Sequence, residues 1–245
     1  MSEEPSQEPI DDLDKPLPVI VIVLIPVMVA GLFIVILFPI SKDWLWIEGW
    51  LFIITFSINV GVSYGYLNKH CPRVLRNRMK AKKEGITAKT RESASSDKFI
   101  LPLLVLGLAV TFTLTPLDKL HQWSSIPFVL EMVGLGITNL GSIIMFVVMV
   151  QNVFASQLLD INKEQKLIDT GLYAHVRHPQ YTGAIILIIG IPISLGSWWA
   201  VIPAVFGAMS LIIRIQFEEE MLVKGMDGYY EYRTRVKYKL IPKVY

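Results

Sequence analysis

The chain has 245 residues, 53% hydrophobic and 18% charged, with a mean hydropathy of +0.49. Soluble domains carry about 25% charged residues, so composition excludes an ordinary cytosolic globular protein and, equally, a disordered chain. One cysteine, Cys71, excludes a disulfide scaffold, and a net charge of +2 leaves no footprint for nucleic acid. A polytopic membrane protein of the all-α class is what remains.

Residues 1–16 form an acidic tail. Positions 1–15 hold six acidic residues and one lysine, the reverse of a signal peptide's basic start, and the Pro, Ser and Glu content predicts disorder. Four apolar runs follow at residues 17–40, 44–67, 99–117 and 126–150. Their only charges are Glu48 and Glu131, each near a run's start. A bilayer needs about 20 residues per helix, so each run predicts a span. Residues 181–213 then give 33 uncharged positions, too long for one ordinary span. Gly190, Pro192 and Gly196-Ser197 break this stretch into a hairpin of residues 181–197 and 198–213. Six spans are therefore expected. The chain divides into the tail, a four-span region over 17–150, and a C-terminal region over 151–245.

Orientation follows from the loop at 68–98, which contains ten Lys or Arg against three Asp or Glu. Short basic loops stay in the cytosol, and such a loop also favours anionic lipid head groups. Residues 151–180 and 214–245 then share that cytosolic side, while the opposite connections, 41–43 and 118–125, are minimal. This asymmetry predicts a cytosol-facing site on a membrane scaffold. Trp44, Trp46, Trp50, Trp123, Trp198 and Trp199 lie near span ends and read as an aromatic belt. Gly134, Gly136, Gly141 and Ser142 read as a helix-contact face. His70, His121 and His175 have no metal-ligand spacing, so no metal site is expected.

The chemistry concentrates in two segments. Residues 167–183 carry Tyr173, Arg177, His178, Pro179 and Tyr181, with Pro179 predicted to open a helix. A helix start offers spare backbone donors and favours anionic groups. The second segment, 214–232, carries Arg214, Glu218 and Glu219 at helical spacing, with Arg214 and Glu218 on one face and able to pair. If the hairpin forms, its two ends bring guanidinium, imidazole, phenol and carboxylate groups together at the membrane surface. Tyr229, Tyr230 and Tyr232 read as interface anchors.

Gly171-x-Tyr173-x-x-x-Arg177-His178-Pro179-x-Tyr181-x-Gly183, the hairpin, Arg214-x-x-x-Glu218-Glu219-x-x-Leu222, Tyr229-x-x-Tyr232 and Leu240-Ile241-Pro242 resemble the isoprenylcysteine carboxyl methyltransferase family. The phospholipid N-methyltransferases are its relatives. The resemblance covers about residues 160–245. The family usually carries Phe-Gly before the tyrosines, where this chain has Met226-Asp227-Gly228, so Glu218, Glu219 and Glu220 all remain candidates for the functional glutamate.

The resemblance implies S-adenosylmethionine as cofactor and methylation of a lipidated or prenylated acceptor. No glycine-rich loop of the dinucleotide-binding kind is present, so the hairpin ends would have to hold the cofactor. It further implies that Tyr173, His178, Pro179, Tyr181, Arg214 and Glu218 bind the cofactor, and that Arg177 and Glu219 serve catalysis. Arg177 is expected to point away from His178 and to orient an acceptor carboxylate, because a planar guanidinium grips carboxylates at two points. Carboxyl O-methylation is the favoured reaction. A phospholipid N-methyltransferase and an NADPH-dependent steroid-reductase-like enzyme are the alternatives.

Overall fold

The computed structural model describes residues 15–76, 94–152 and 167–245, with the side chains of residues 94–97 left aside. The disordered-tail expectation and most of the basic loop therefore lie outside the described residues. The described residues form helices and no strand. Helix α1 covers Val19–Ser41, α2 Ile47–His70, α3 Ala94–His121 and α4 Phe128–Gln151. After the 3-10 turn Gly171–Ala174 come α5 over Pro179–Ser194, α6 over Val201–Gly225 and the short α7 over Tyr229–Arg235.

Helices α1, α2, α3, α4 and α6 are long and apolar enough to cross a membrane. Helix α5 has 16 residues, about 24 Å at 1.5 Å per residue, against a hydrocarbon layer of about 30 Å. Of the six expected spans, five thus have bilayer length and the sixth is a shorter apolar helix. The hairpin boundaries also move. The expected 181–197 becomes Pro179–Ser194, and the expected 198–213 becomes Val201–Gly225. The second shift arises because charge does not end a helix: Arg214 and the glutamates continue α6 for three turns beyond its apolar part.

Helix neighbours close a circuit α1–α2–α4–α5–α6–α3, and α3 also touches α5. Close approach between α4 and α5 explains part of the small-residue face. A Cβ on Gly141 would lie 2.5 Å from the Leu187 backbone nitrogen, and one on Gly134 2.6 Å from that of Ser194. Gly136 meets nothing within 4 Å, so it lies outside this contact. Backbones this close gain dispersion contacts where no hydrophobic driving force separates helices from lipid. Thr111, Thr115 and Thr138 each donate to the carbonyl four residues earlier, so these buried hydroxyls stay satisfied within their own helices. Asn59 of α2 donates to Asn139 of α4, a polar link between two apolar helices.

The bundle has two distinct ends. All six tryptophans lie at the end holding the 41–46, 122–127 and 195–200 connections. Trp44, Trp123, Trp198 and Trp199 are exposed there, as an aromatic belt requires. Trp46 is a correction: it is 1% exposed and sits in the core with Phe38, Leu37 and Phe52. A cavity of about 510 Å³ opens at this end beside Trp46, Asp118, Lys119 and Glu131. Its buried Asp118 is satisfied internally, accepting from the Ser124 amide, the Ser124 hydroxyl and the Ser197 hydroxyl at 2.8, 2.6 and 2.5 Å. The motif residues occupy the other end.

Candidate active site

Pro179 is the first residue of α5. Its fixed φ and missing N–H suit that position, so the chain turns into the helix immediately after Arg177 and His178. The backbone N–H groups of these two residues donate to the carbonyls of Tyr238 and Lys239, both at 2.9 Å. Residues 236–240 therefore lie as a strap across the start of α5. Thr182 Oγ1 extends the attachment by donating to the Leu240 carbonyl at 2.8 Å.

Under the strap, Glu219 projects from α6 and is 3% exposed. Its Oε1 accepts from Arg177 Nε at 2.6 Å and lies 3.3 Å from His178 Nε2, while its Oε2 lies 3.5 Å from Lys239 Nζ. Arg177 Nη1 donates in addition to the Val236 and Lys237 carbonyls at 2.7 and 2.8 Å. A buried ion pair is stable only where further hydrogen bonds offset the loss of water, and these two carbonyls supply them. Arg177 and His178 do not diverge as expected: both turn to the same carboxylate oxygen, because the strap fixes the backbone of both residues beside α6.

Beside this cluster, Tyr181 donates from its hydroxyl to Glu218 Oε2 at 2.5 Å. The guanidinium carbon of Arg214 lies 6.0 Å from the Tyr181 ring centre, in cation–π range. Glu218 is half-buried and Glu220 is exposed, so burial separates the three glutamates that the sequence left equivalent: Glu219 takes the inner position. Arg177, His178, Pro179, Tyr181, Arg214, Glu218 and Glu219 thus meet at one end of the α5–α6 pair. Tyr173 stands apart. Its hydroxyl accepts from Asn152 at 3.1 Å and its carbonyl accepts from the Tyr232 hydroxyl at 2.8 Å, so it ties the end of α4 to α7.

Sequence reasoning missed three contributors. The strap acts through backbone carbonyls, which leave no side-chain signature. Lys239 is one lysine among several near the C-terminus. Tyr229 and Tyr232, expected as interface anchors, are 3% and 2% exposed, and only Tyr230 is exposed. Gly228, with φ +77, turns the chain so that α7 folds back and buries both rings against Leu222, Val223 and Met226. Burial pushes both phenols well above their ordinary range, helped at Tyr229 by the Glu219 carboxylate.

Residues 130–227 match the family model described as phospholipid methyltransferase. That interval includes Tyr173, Arg177, His178, Pro179, Tyr181, Arg214, Glu218 and Glu219, while Tyr229, Tyr232 and the strap with Lys239 lie beyond it, and it begins within α4, ahead of the motif-bearing segment. The chain is also 35% identical over 82 residues to the protein-S-isoprenylcysteine O-methyltransferase of Schizosaccharomyces pombe, a match covering 31% of this chain. That match spans about a third of the relative's length, 33%. A solved structure, the eukaryotic intramembrane Ras methyltransferase ICMT (isoprenylcysteine carboxyl methyltransferase) without a monobody, aligns with 91% of this chain and 77% of its own, at 19% identity and a TM-score of 0.48. The family and curated matches support the resemblance carried by the Arg-His-Pro-x-Tyr and Glu-Glu motifs.

Proposed function

We propose that this chain is a membrane-embedded methyltransferase that uses S-adenosylmethionine and acts on a lipidated or amphiphilic acceptor, with carboxyl O-methylation of an isoprenylcysteine-like group as its reaction. The observation that carries this reading is the convergence of His178, Tyr181, Glu218 and Glu219 from two helix ends into one polar cluster on an apolar bundle. Their chemistry fits the cofactor. Glu218 suits a cationic group, and the Tyr181 ring, with the Arg214 guanidinium 6.0 Å from its centre, offers a π face of the kind that attracts cations.

S-adenosylmethionine held there would supply an electrophilic methyl group. The protein's part is alignment and exclusion of water. Arg177 and Glu219 act as positioning residues, since their mutual bond and the strap fix His178 and the start of α5. His178, Tyr181, Arg214 and Glu218 line the cofactor's place. A carboxylate acceptor is ionised at neutral pH and needs no general base. The positive loop at 68–98 supports placing this end in the cytosol, where a soluble cofactor is available, while a lipidic acceptor approaches through the bilayer.

The description of the family model, phospholipid methyltransferase, favours a second reading, methylation of an amine head group. An amine nucleophile must lose a proton, for which Glu218 stands within the cluster. Calorimetry in detergent comparing S-adenosylhomocysteine with NADPH tests the cofactor, and methyl transfer to a prenylcysteine analogue or to phosphatidylethanolamine separates the acceptors. Binding of NADPH without binding of S-adenosylhomocysteine would overturn the methyltransferase reading.

A further inference from the structure

The end of the bundle opposite the motif cluster carries a second polar site. The cavity of about 510 Å³ opens there, with Trp46, Lys119, Ser124, Glu131 and Gly196 in its wall. Glu131 is 8% exposed. Its Oε1 occupies room that Gly196, with φ +80, leaves free: a Cβ on Gly196 would lie 2.6 Å from that oxygen. Among the described residues, the group facing the Glu131 carboxyl is another carboxyl, that of Glu48. Lys119 does not close the gap. Its Nζ stands 3.9 Å from Glu48 and 3.9 Å from Asp43, beyond hydrogen-bond length, and 5.8 Å from the Trp46 ring centre. Asp118, held by Ser124 and Ser197, adds a further negative charge to the wall.

Glu48 and Glu131 each stand in the first turn of a helix, where a carboxylate complements the helix dipole. That accounts for their sign but not for their placement. Two carboxyl groups facing each other away from bulk water need a proton or a cation between them. The surroundings are negative on balance, since Asp43, Glu48, Asp118 and Glu131 gather around Lys119. A cation therefore fits, and the donor set narrows its kind. Among the described residues no three acidic or histidine groups converge to hold a metal ion. A carboxyl that lacks a donor suits instead a cation that brings its own N–H bonds. The cavity is of small-molecule size, so the group can arrive on a larger body. Exposed Trp123 in its wall sets the mouth at the level of lipid head groups. We propose that this cavity binds a primary ammonium group, the chemistry shared by aminophospholipid head groups and free alkylamines, with Glu131 as its acceptor.

The test uses the full chain in an uncharged detergent and an amine-free buffer. All six tryptophans lie at this end, so their fluorescence reports occupancy. Ethanolamine should give a saturable change that sodium chloride at equal ionic strength does not. Choline, which has no N–H to donate, should bind about tenfold more weakly or worse. Glu131→Gln keeps the volume and loses the charge, and should weaken ethanolamine binding by about ten- to one-hundred-fold. Lys119→Gln removes a competing cation and should strengthen it several-fold; this variant decides the matter if Glu131→Gln fails to fold. In nanodiscs, a higher apparent ethanolamine Kd with phosphatidylethanolamine than with phosphatidylcholine identifies the lipid head group as the source, and equal affinity in both identifies a free amine. Absence of a saturable signal in the wild type would mean that the two carboxyls share a proton, and would overturn the proposal. So would a sodium chloride signal of equal size, unchanged affinity in Glu131→Gln, weaker binding in Lys119→Gln, or choline binding as tightly as ethanolamine.

Discussion

Glu219→Ala removes the carboxylate on which Arg177, His178 and Lys239 converge. Arg177 is 6% exposed, so the substitution leaves a buried guanidinium without its counter-charge. Deleting one partner of a buried ion pair costs about 3–5 kcal/mol. Arg177 keeps its bonds to the Val236 and Lys237 carbonyls, which places the expected cost near the lower limit, about 3 kcal/mol. At 2–4 °C per kcal/mol for a chain of this size, the variant should melt about 6–12 °C below wild type. Glu219→Gln keeps an acceptor oxygen and nearly the same volume while losing the charge, so about half that loss is expected. Hydrogen exchange followed by mass spectrometry adds a local readout, because the amides of residues 236–245 should exchange faster when the strap loses its anchor. Identical melting of Glu219→Ala and wild type, with unaltered exchange over 236–245, would refute the claim that this carboxylate holds the strap.

Arg177→Lys keeps the charge but concentrates its donors on one atom, which cannot reach a carboxylate and two carbonyls together. A loss of about 2 kcal/mol in thermal unfolding and faster exchange of the strap are expected. Gly141→Ala would place a methyl group 2.5 Å from the Leu187 nitrogen, and it should cost about 1–3 kcal/mol in detergent unfolding by forcing α4 from α5. Gly136→Ala, with open space around it, should unfold at or above the wild-type midpoint, since alanine gains up to about 1 kcal/mol over glycine in a helix. For orientation, cysteines introduced singly at positions 90, 165 and 243 should all be labelled from the cytosolic side, and labelling of position 165 from the opposite side would sink the common-face argument.

Hydropathy alone determined the all-α membrane architecture, because a bilayer tolerates few charges and sets helix length directly. Where a helix stops is a weaker signal. Pro179 marks the start of α5 by its backbone chemistry, whereas nothing in Arg214 or Glu218 signals whether α6 ends or continues. The motif residues were legible because side chains at fixed spacing carry their chemistry openly. Which glutamate lies inside was not legible. Glu218, Glu219 and Glu220 are chemically the same, and only the rotation of α6 against α5 turns Glu219 inward and Glu220 outward. The same holds for Arg177 and His178. Adjacent residues ordinarily point apart, and it takes a strap of backbone carbonyls from residues 236–240, some 60 positions away in the chain, to turn both onto one oxygen. Tyr229 and Tyr230 are likewise identical neighbours in sequence. The left-handed turn at Gly228 folds α7 back onto α6 and buries one while leaving the other exposed. Composition decides which solvent the chain meets; long-range contacts decide which of several equivalent groups faces the site.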